Sequence, residues 1–319
     1  MEIVTRKYSF RSKYDGVIIH GICKIPEQPI GILQMVHGMN EHKERYLSYM
    51  ETMAGKGYVT LMHDNRGHGE SVMKEEDMGY CYASKEKGFV EDIFTATKKI
   101  RKEFPGLPLI LYGHSMGSLA VRAYLRQHDD VIDALVVTGC PGYNDGVPFG
   151  EFLVKAASLL RGERWRSPFI QNLIVGNFEK RFRKENRKSA WLAAKESVAE
   201  AFEADPLCQF TYTLNGFDTL LHLESIVYKK SGYQMKNPQL PILFLSGMDD
   251  PCYISENKWA QAVERMSRLG YTDITAKRFE GMRHEIHNEE ENEKVYQEVD
   301  KFCRRLVQTE AGCEGAQEG

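Results

Sequence analysis

No run in this 319-residue chain approaches the roughly 20 consecutive apolar residues of a membrane-spanning helix. Cysteine is scarce: the seven are scattered, no two lie close, and the total is odd. That argues against a disulfide framework and for a reducing compartment. Excess positive charge is missing too, and a net charge of −3 gives no general basis for binding nucleic acid. The opening Met1-Glu-Ile-Val-Thr-Arg-Lys lacks the basic-then-apolar layout of a secretory leader, so a cytoplasmic protein is expected. His284 and His287 are three apart, but no further ligands stand at a matching spacing, and no metal is expected. What is present, 42% hydrophobic and 27% charged residues, is the composition of a soluble globule. Its length suits one large α/β domain or two ordinary ones.

Short apolar runs alternate with helical patterns along most of the chain. Strands are expected at 3–10, 17–25, 30–36, 58–63, 134–138, 241–245 and 274–279. Helices are expected at 46–56, 89–104, 256–269 and 289–307. The alternation predicts a mostly parallel sheet with helices on both faces. It fails between Cys140 and Gln239, where helical pattern continues without strands just past a strand's carboxyl end. Residues 141–236 therefore read as an inserted helical cap over a core made of 1–140 and 237–308. The small, acidic tail 309–319 is expected to be disordered.

One stretch organises the rest: Leu109-Ile-Leu-Tyr-Gly-His-Ser-Met-Gly-Ser118, an apolar strand that stops at Gly113 and gives way at once to a helical pattern. Glycines at 113 and 117 let the chain turn sharply and lift the Ser115 hydroxyl clear of both elements. A serine at its ordinary pKa needs a general base, and the base needs an orienting group. Asp250, three residues past the strand Leu243-Phe-Leu-Ser-Gly247 and just before Pro251, is preferred to Asp249. His284 follows the next strand and is preferred to His287. Attack on a carbonyl also requires fixed N–H donors for the oxyanion. The backbone of Met116 at the helix start supplies one, and that of Met39, in the loop after the 30–36 strand, supplies the other. His37, His63, His68 and His114 read as loop-shaping residues, and Asp64 and Arg66 as braces.

Taken together, His37-Gly38-Met-Asn-Glu41-His42-Lys-Glu-Arg45-Tyr46, Asp64-x-Arg-Gly-His-Gly-x-Ser71, Pro105-Gly-Leu-Pro108, Gly113-His-Ser-Met-Gly117 and Arg283-His284-Glu285 resemble the α/β-hydrolase fold. More narrowly they resemble its monoacylglycerol lipase and lysophospholipase branch, often grouped with serine aminopeptidases. The resemblance implies an eight-stranded sheet with the second strand antiparallel, acyl transfer to water without a cofactor, and a cap that shapes the acyl pocket. It also implies that Glu41 and Arg45 lie beside a polar head-group pocket. Their residue-level alternative is an exposed pair four apart on one helix face. Asn40 and Ser118 depart from the family pattern, which commonly has a small residue at the first position and a second glycine at the other.

Within the expected cap, residues 149–160 are apolar almost all round and read as a buried helix; a lid that lines an acyl channel or touches a membrane surface transiently is the alternative. Phe202, Leu207, Phe210, Tyr212, Leu214 and Phe217 are expected to wall the pocket. The expected activity is hydrolysis of single-chain lipid esters, monoacylglycerols or lysophospholipids, through an acyl-enzyme. Short-chain esters are an alternative. So is an aminopeptidase of the proline-iminopeptidase kind, although the cap's 14 Lys and Arg against 11 Asp and Glu disfavour gripping a free amino group.

Overall fold

The structure is a computed structural model that describes residues 2–314. Eight strands form one sheet in the order β1-β2-β4-β3-β5-β6-β7-β8. They are β1 (Ile3–Arg11), β2 (Ile18–Pro26), β3 (Gly31–Val36), β4 (Tyr58–His63), β5 (Leu109–His114), β6 (Ala134–Thr138), β7 (Ile242–Gly247) and β8 (Ile274–Phe279). β2 is antiparallel to both its neighbours, and every pairing from β4 through β8 is parallel. The expected architecture is therefore present, the second strand included.

Helices cover both faces: α1 (Leu47–Gly55) and α9 (Glu293–Glu314) on one, α2 (Lys85–Glu103), α3 (Met116–His128) and α8 (Glu256–Leu269) on the other. The two-residue period of β5 serves both layers, because Leu109 and Leu111 pack with the second group and Ile110 and Tyr112 with the first. Such a strand buries every residue, which is why it reads as a continuous apolar run.

Between β6 and β7 lie α4 (Val147–Arg161), α5 (Pro168–Arg181), α6 (Glu196–Ala204) and α7 (Leu214–Tyr228). Of these, α7 packs Leu214, Phe217 and Leu221 into the same cluster as α3 and so completes the helical layer of the sheet. The buried reading of 149–160 fails in part. Val147 and Val154 are buried, but Phe149, Phe152, Leu159 and Leu160 are 63–89% exposed, because α4 packs on α7 along one side only.

The last helix starts at Glu293, four residues after the expected 289. The Glu289 carboxylate is engaged elsewhere, accepting from the backbone N–H groups of Arg283, Ala194 and Lys195. At its other end α9 continues through Glu314, into the segment expected as a tail, whose residues 315–319 lie outside the described residues.

Candidate active site

The turn between β5 and α3 is tight at both glycines. A Cβ on Gly113 would fall 2.6 Å from the Gly117 carbonyl oxygen, and one on Gly117 would fall 2.2 Å from that of Val36. Ser115 between them has φ 53° and ψ −119°, a backbone conformation that L residues rarely adopt. Its N–H donates to Thr138 on β6 at 3.0 Å, and the Ser118 hydroxyl donates back to its carbonyl at 2.6 Å. Ser118 thus locks the elbow where a second glycine is commoner.

The loops after β7 and β8 meet beside this elbow. His284 Nδ1 lies 3.0 Å from both carboxylate oxygens of Asp250, and both side chains are buried. Burial opposes charge on His284, but Asp250, aided by Glu285 and Glu41, outweighs it and raises the imidazole pKa. Asp250 also accepts the Cys252 N–H at 2.8 Å, capping a short turn, while Ser255 caps α8. Ser115 and His284 open into one cavity of about 880 Å³.

Neither competitor shares this geometry. Asp249 is half-exposed and faces Arg181 at 3.4 Å. His287 is fully buried, stacks on Tyr46 at 4.5 Å and has no hydrogen-bond partner on either ring nitrogen. Burial lowers its pKa to about 4.

Met39 and Met116 line the cavity with Ser115. Met116 opens α3, where a backbone N–H has no partner within the helix. Met39 is held by its neighbours. His37 accepts the Asn65 N–H on Nε2 at 2.9 Å, leaving Nδ1 to donate to the Gly38 carbonyl at 2.8 Å. Asn40 is left-handed (φ 56°), and its amide donates to the Phe210 carbonyl at 2.6 Å. Behind the loop, Asp64 accepts from Lys43 Nζ at 2.6 Å, and Arg66 binds Asp92 and Asp15, each at 2.7 Å.

Glu41 and Arg45 are not an exposed pair. Glu41 accepts the Gly38 N–H and, at 2.9 Å, the Tyr46 hydroxyl; its Oε2 is buried without a hydrogen-bond partner, 3.7 Å from Arg45 Nε. Arg45 donates to both oxygens of Glu285 at 2.7 and 2.6 Å and stacks over Phe202 at 5.0 Å. Burial, reinforced by Glu285 and opposed by Arg45, pushes Glu41 up to about 7. Glu41 and Glu285 both line the cavity that Ser115 opens into.

The rest of the cavity mixes apolar walls with carboxyls. Phe149, Phe178, Trp191, Phe202, Phe210 and Leu221 contribute, as do Glu179, Glu203 and Glu224. Of the expected wall residues, Phe202 and Phe210 reach the cavity, whereas Tyr212, Leu214 and Phe217 are buried in the core. Trp191, its ring 5.0 Å from that of His284, went unanticipated; a lone tryptophan in a weakly patterned helical segment carries no periodic signal.

A family model described as serine aminopeptidase, S33 matches residues 27–291. A monoglyceride lipase of Mus musculus is 28% identical over 89% of this chain and 86% of its own. A monoacylglycerol lipase of Mycolicibacterium smegmatis is 26% identical over 92% and 95%. Among solved structures, a thermostable carboxyl esterase from Bacillus coagulans in complex with glycerol superposes with a TM-score of 0.87 at 23% identity, covering 95% of this chain and 99% of that one.

Proposed function

Since the chain belongs to the serine aminopeptidase S33 family of α/β-hydrolases, we propose that it hydrolyses the carboxylic ester of monoacylglycerols or lysophospholipids through a Ser115 acyl-enzyme. The observation that carries this reading is the buried Asp250 carboxylate, both oxygens 3.0 Å from His284 Nδ1, beside a serine held on a strained elbow in the same cavity. Asp250 keeps the proton on Nδ1, so Nε2 is free to take the proton of Ser115 as its oxygen attacks the ester carbonyl. The N–H groups of Met39 and Met116 stabilise the oxyanion, a contribution of about 3–4 kcal/mol for each donor. His284 then returns the proton to the departing alcohol, and a water repeats the sequence to release the acid. No step calls on a cofactor.

The curated relatives above carry the names of lipases of monoacylglycerols, which supports a single acyl chain and a small polar alcohol. Glu41 and Glu285, with Arg45 paired behind them, give the cavity a polar side that suits the alcohol's hydroxyls. The aromatic and aliphatic side chains of the insertion at 141–236 suit the acyl chain. The exposed Phe149, Phe152, Leu159 and Leu160 of α4 suit a transient contact with the lipid surface that supplies the substrate. Replacement Ser115→Ala should abolish turnover of monoacylglycerols and labelling by a fluorophosphonate; wild-type rates in that variant would overturn the assignment.

One observation favours a second reading. The insertion is net basic, yet it turns Glu179, Glu203 and Glu224 into the cavity, where carboxylates could hold a free α-amino group. Cleavage of a prolyl nitroanilide faster than of a monoacylglycerol at matched concentration would decide for the aminopeptidase.

A further inference from the structure

Near the polar side of the cavity, the loop after β3 meets the segment between α6 and α7 through three side chains of different donor type. His42 Nε2 lies 2.7 Å from Asp205 Oδ2. The Cys208 Sγ completes a group in which one donor atom from each residue lies within 4.8 Å of the other two. His42 and Cys208 are buried, and the Asp205 side chain is 26% exposed, which leaves a path from solvent. A thiol, an imidazole and a carboxylate converging from two segments far apart in sequence form the donor set that zinc selects. A second observation points the same way. The other ring nitrogen of His42 faces the Glu44 carboxylate at 2.7 Å, the outer partner that metal-bound histidines typically have.

We propose that His42, Asp205 and Cys208 bind a zinc-class divalent cation, which would staple the Met39–Glu41 loop to the cap. Bond lengths of about 2.0 Å to nitrogen and oxygen and about 2.3 Å to sulfur, at tetrahedral angles, place ligand atoms roughly 3.3–3.6 Å apart. The His42–Asp205 pair would therefore open by about 0.6 Å from its present 2.7 Å. Binding is balanced by proton release: the imidazolium loses its Nε2 proton, the thiol loses its Sγ proton, and both leave to solvent. Two anionic ligands then neutralise the ion, Glu44 holds the Nδ1 proton, and water fills the fourth position. Because two protons depart, affinity rises with pH. Arg45, the nearby cation, donates to Glu285 at 2.6 Å, and its charge also favours the ionised forms of Asp205 and Cys208.

The site is separate from the other group of this kind among the described residues, Asp250, Cys252 and His284, which belongs to the active site. The experiment must distinguish the two. Full-length protein is freed of metal with EDTA, desalted, and titrated with cadmium chloride while the ultraviolet thiolate-to-cadmium charge-transfer band is followed. Zinc chloride is then used in competition. The expected result is saturation at one equivalent, displacement by zinc, loss of the band in Cys208→Ser, and retention in Cys252→Ser. Asp205→Asn keeps the thiol and a hydrogen-bonding side chain, and should weaken binding at least about tenfold, as loss of even an outer partner does. It also serves if Cys208→Ser fails to fold in a thermal melt. The proposal is overturned if no band forms, if the band survives Cys208→Ser, or if Cys252→Ser removes it.

Discussion

Replacing Asp250 by Asn tests the assignment of the dyad at the level of single protons. The carboxylate oxygen nearest Cys252 accepts that residue's N–H at 2.8 Å. In the variant this donor holds the amide oxygen in place, and the amide NH2 takes the position of the other oxygen, which also lies 3.0 Å from Nδ1. The NH2 then competes to donate to Nδ1, which moves the imidazole proton to Nε2, where it blocks acceptance of the serine proton, and the charge that stabilises the imidazolium is gone. An equivalent tautomer error in a serine protease costs about 10⁴ in kcat, roughly 5.5 kcal/mol. The pH profile supplies a second readout. Turnover needs neutral His284, and Asp250 raises its pKa against the opposing effect of burial, so the parent's acid limb lies above the ordinary imidazole value of about 6.5. Without that charge burial is opposed only by the weaker influence of Glu285 and Glu41, so the limb of the variant shifts to lower pH while its ceiling falls. Both follow from kcat/KM for p-nitrophenyl butyrate measured across pH, with Asp249→Asn as comparison. Asp249 is half-exposed with one 3.4 Å contact, so its variant should stay within about twofold of the parent. A loss under tenfold in Asp250→Asn, or an acid limb that moves up, would refute the reasoning.

Gly117→Ala would place a Cβ 2.2 Å from the Val36 oxygen and 2.6 Å from that of His37, both backbone, so the elbow or the end of β3 must shift. A displacement near 1 Å at reacting atoms costs about 10²-fold, and a kcat within threefold of the parent would contradict it. Arg45→Met should cost about 3–5 kcal/mol in urea unfolding, because it leaves Glu285 and Glu41 buried without their cation. A loss below about 1 kcal/mol would show that the cluster is not held by charge. Burial, opposed by the Asn144 N–H and by Arg122, pushes Glu224 up to about 7. A carboxyl raised above its unfolded value favours the fold in acid, and that advantage is lost as pH rises through about 7. Glu224→Gln should therefore gain progressively on the parent in melting temperature as pH rises from about 4.5 to about 7 and hold that difference above it; a constant difference across the window would exclude that titration.

Strands were legible in the sequence where burial is two-sided, as in β4 and β6, whose bounds match the apolar runs residue for residue; β8 matches as well, although most of its residues are exposed or half-buried. Helix starts were less so. α2 begins at Lys85, four residues before the first apolar residue of its stripe, since a first turn facing solvent carries no periodic signal. The order serine, aspartate, histidine could be read because Ser115, Asp250 and His284 each follow a strand, and a fold that aligns strand ends brings the segments after them together. Burial of individual charges could not be read. Glu41, Arg45 and Glu285 look like surface residues in sequence, yet each is nearly solvent-free because Arg45 faces both carboxyls, Glu41 four residues away and Glu285 across 240 residues of chain. Nor did the net charge of the insertion reveal the cavity, because a sum over residues does not say which of them point inward.

The loops after β3 and β8, which carry Met39 and His284, are each tied to the segment between β6 and β7. From the loop after β3, Asn40 donates to the Phe210 carbonyl, His42 bonds Asp205, and Arg45 stacks on Phe202. From the loop after β8, Arg283 binds Glu185 at 2.6 Å, the Glu285 N–H donates to Leu192, and Glu289 accepts from Ala194. A cap resting on the core through apolar contact alone could open without disturbing Met39 or His284. Here opening must break polar contacts made by the very loops that carry those residues. Substitutions at Asp205 or Glu185, remote from the ester in sequence, should therefore lower kcat as well as raise KM. A change confined to KM would mean that the cap moves free of the catalytic loops.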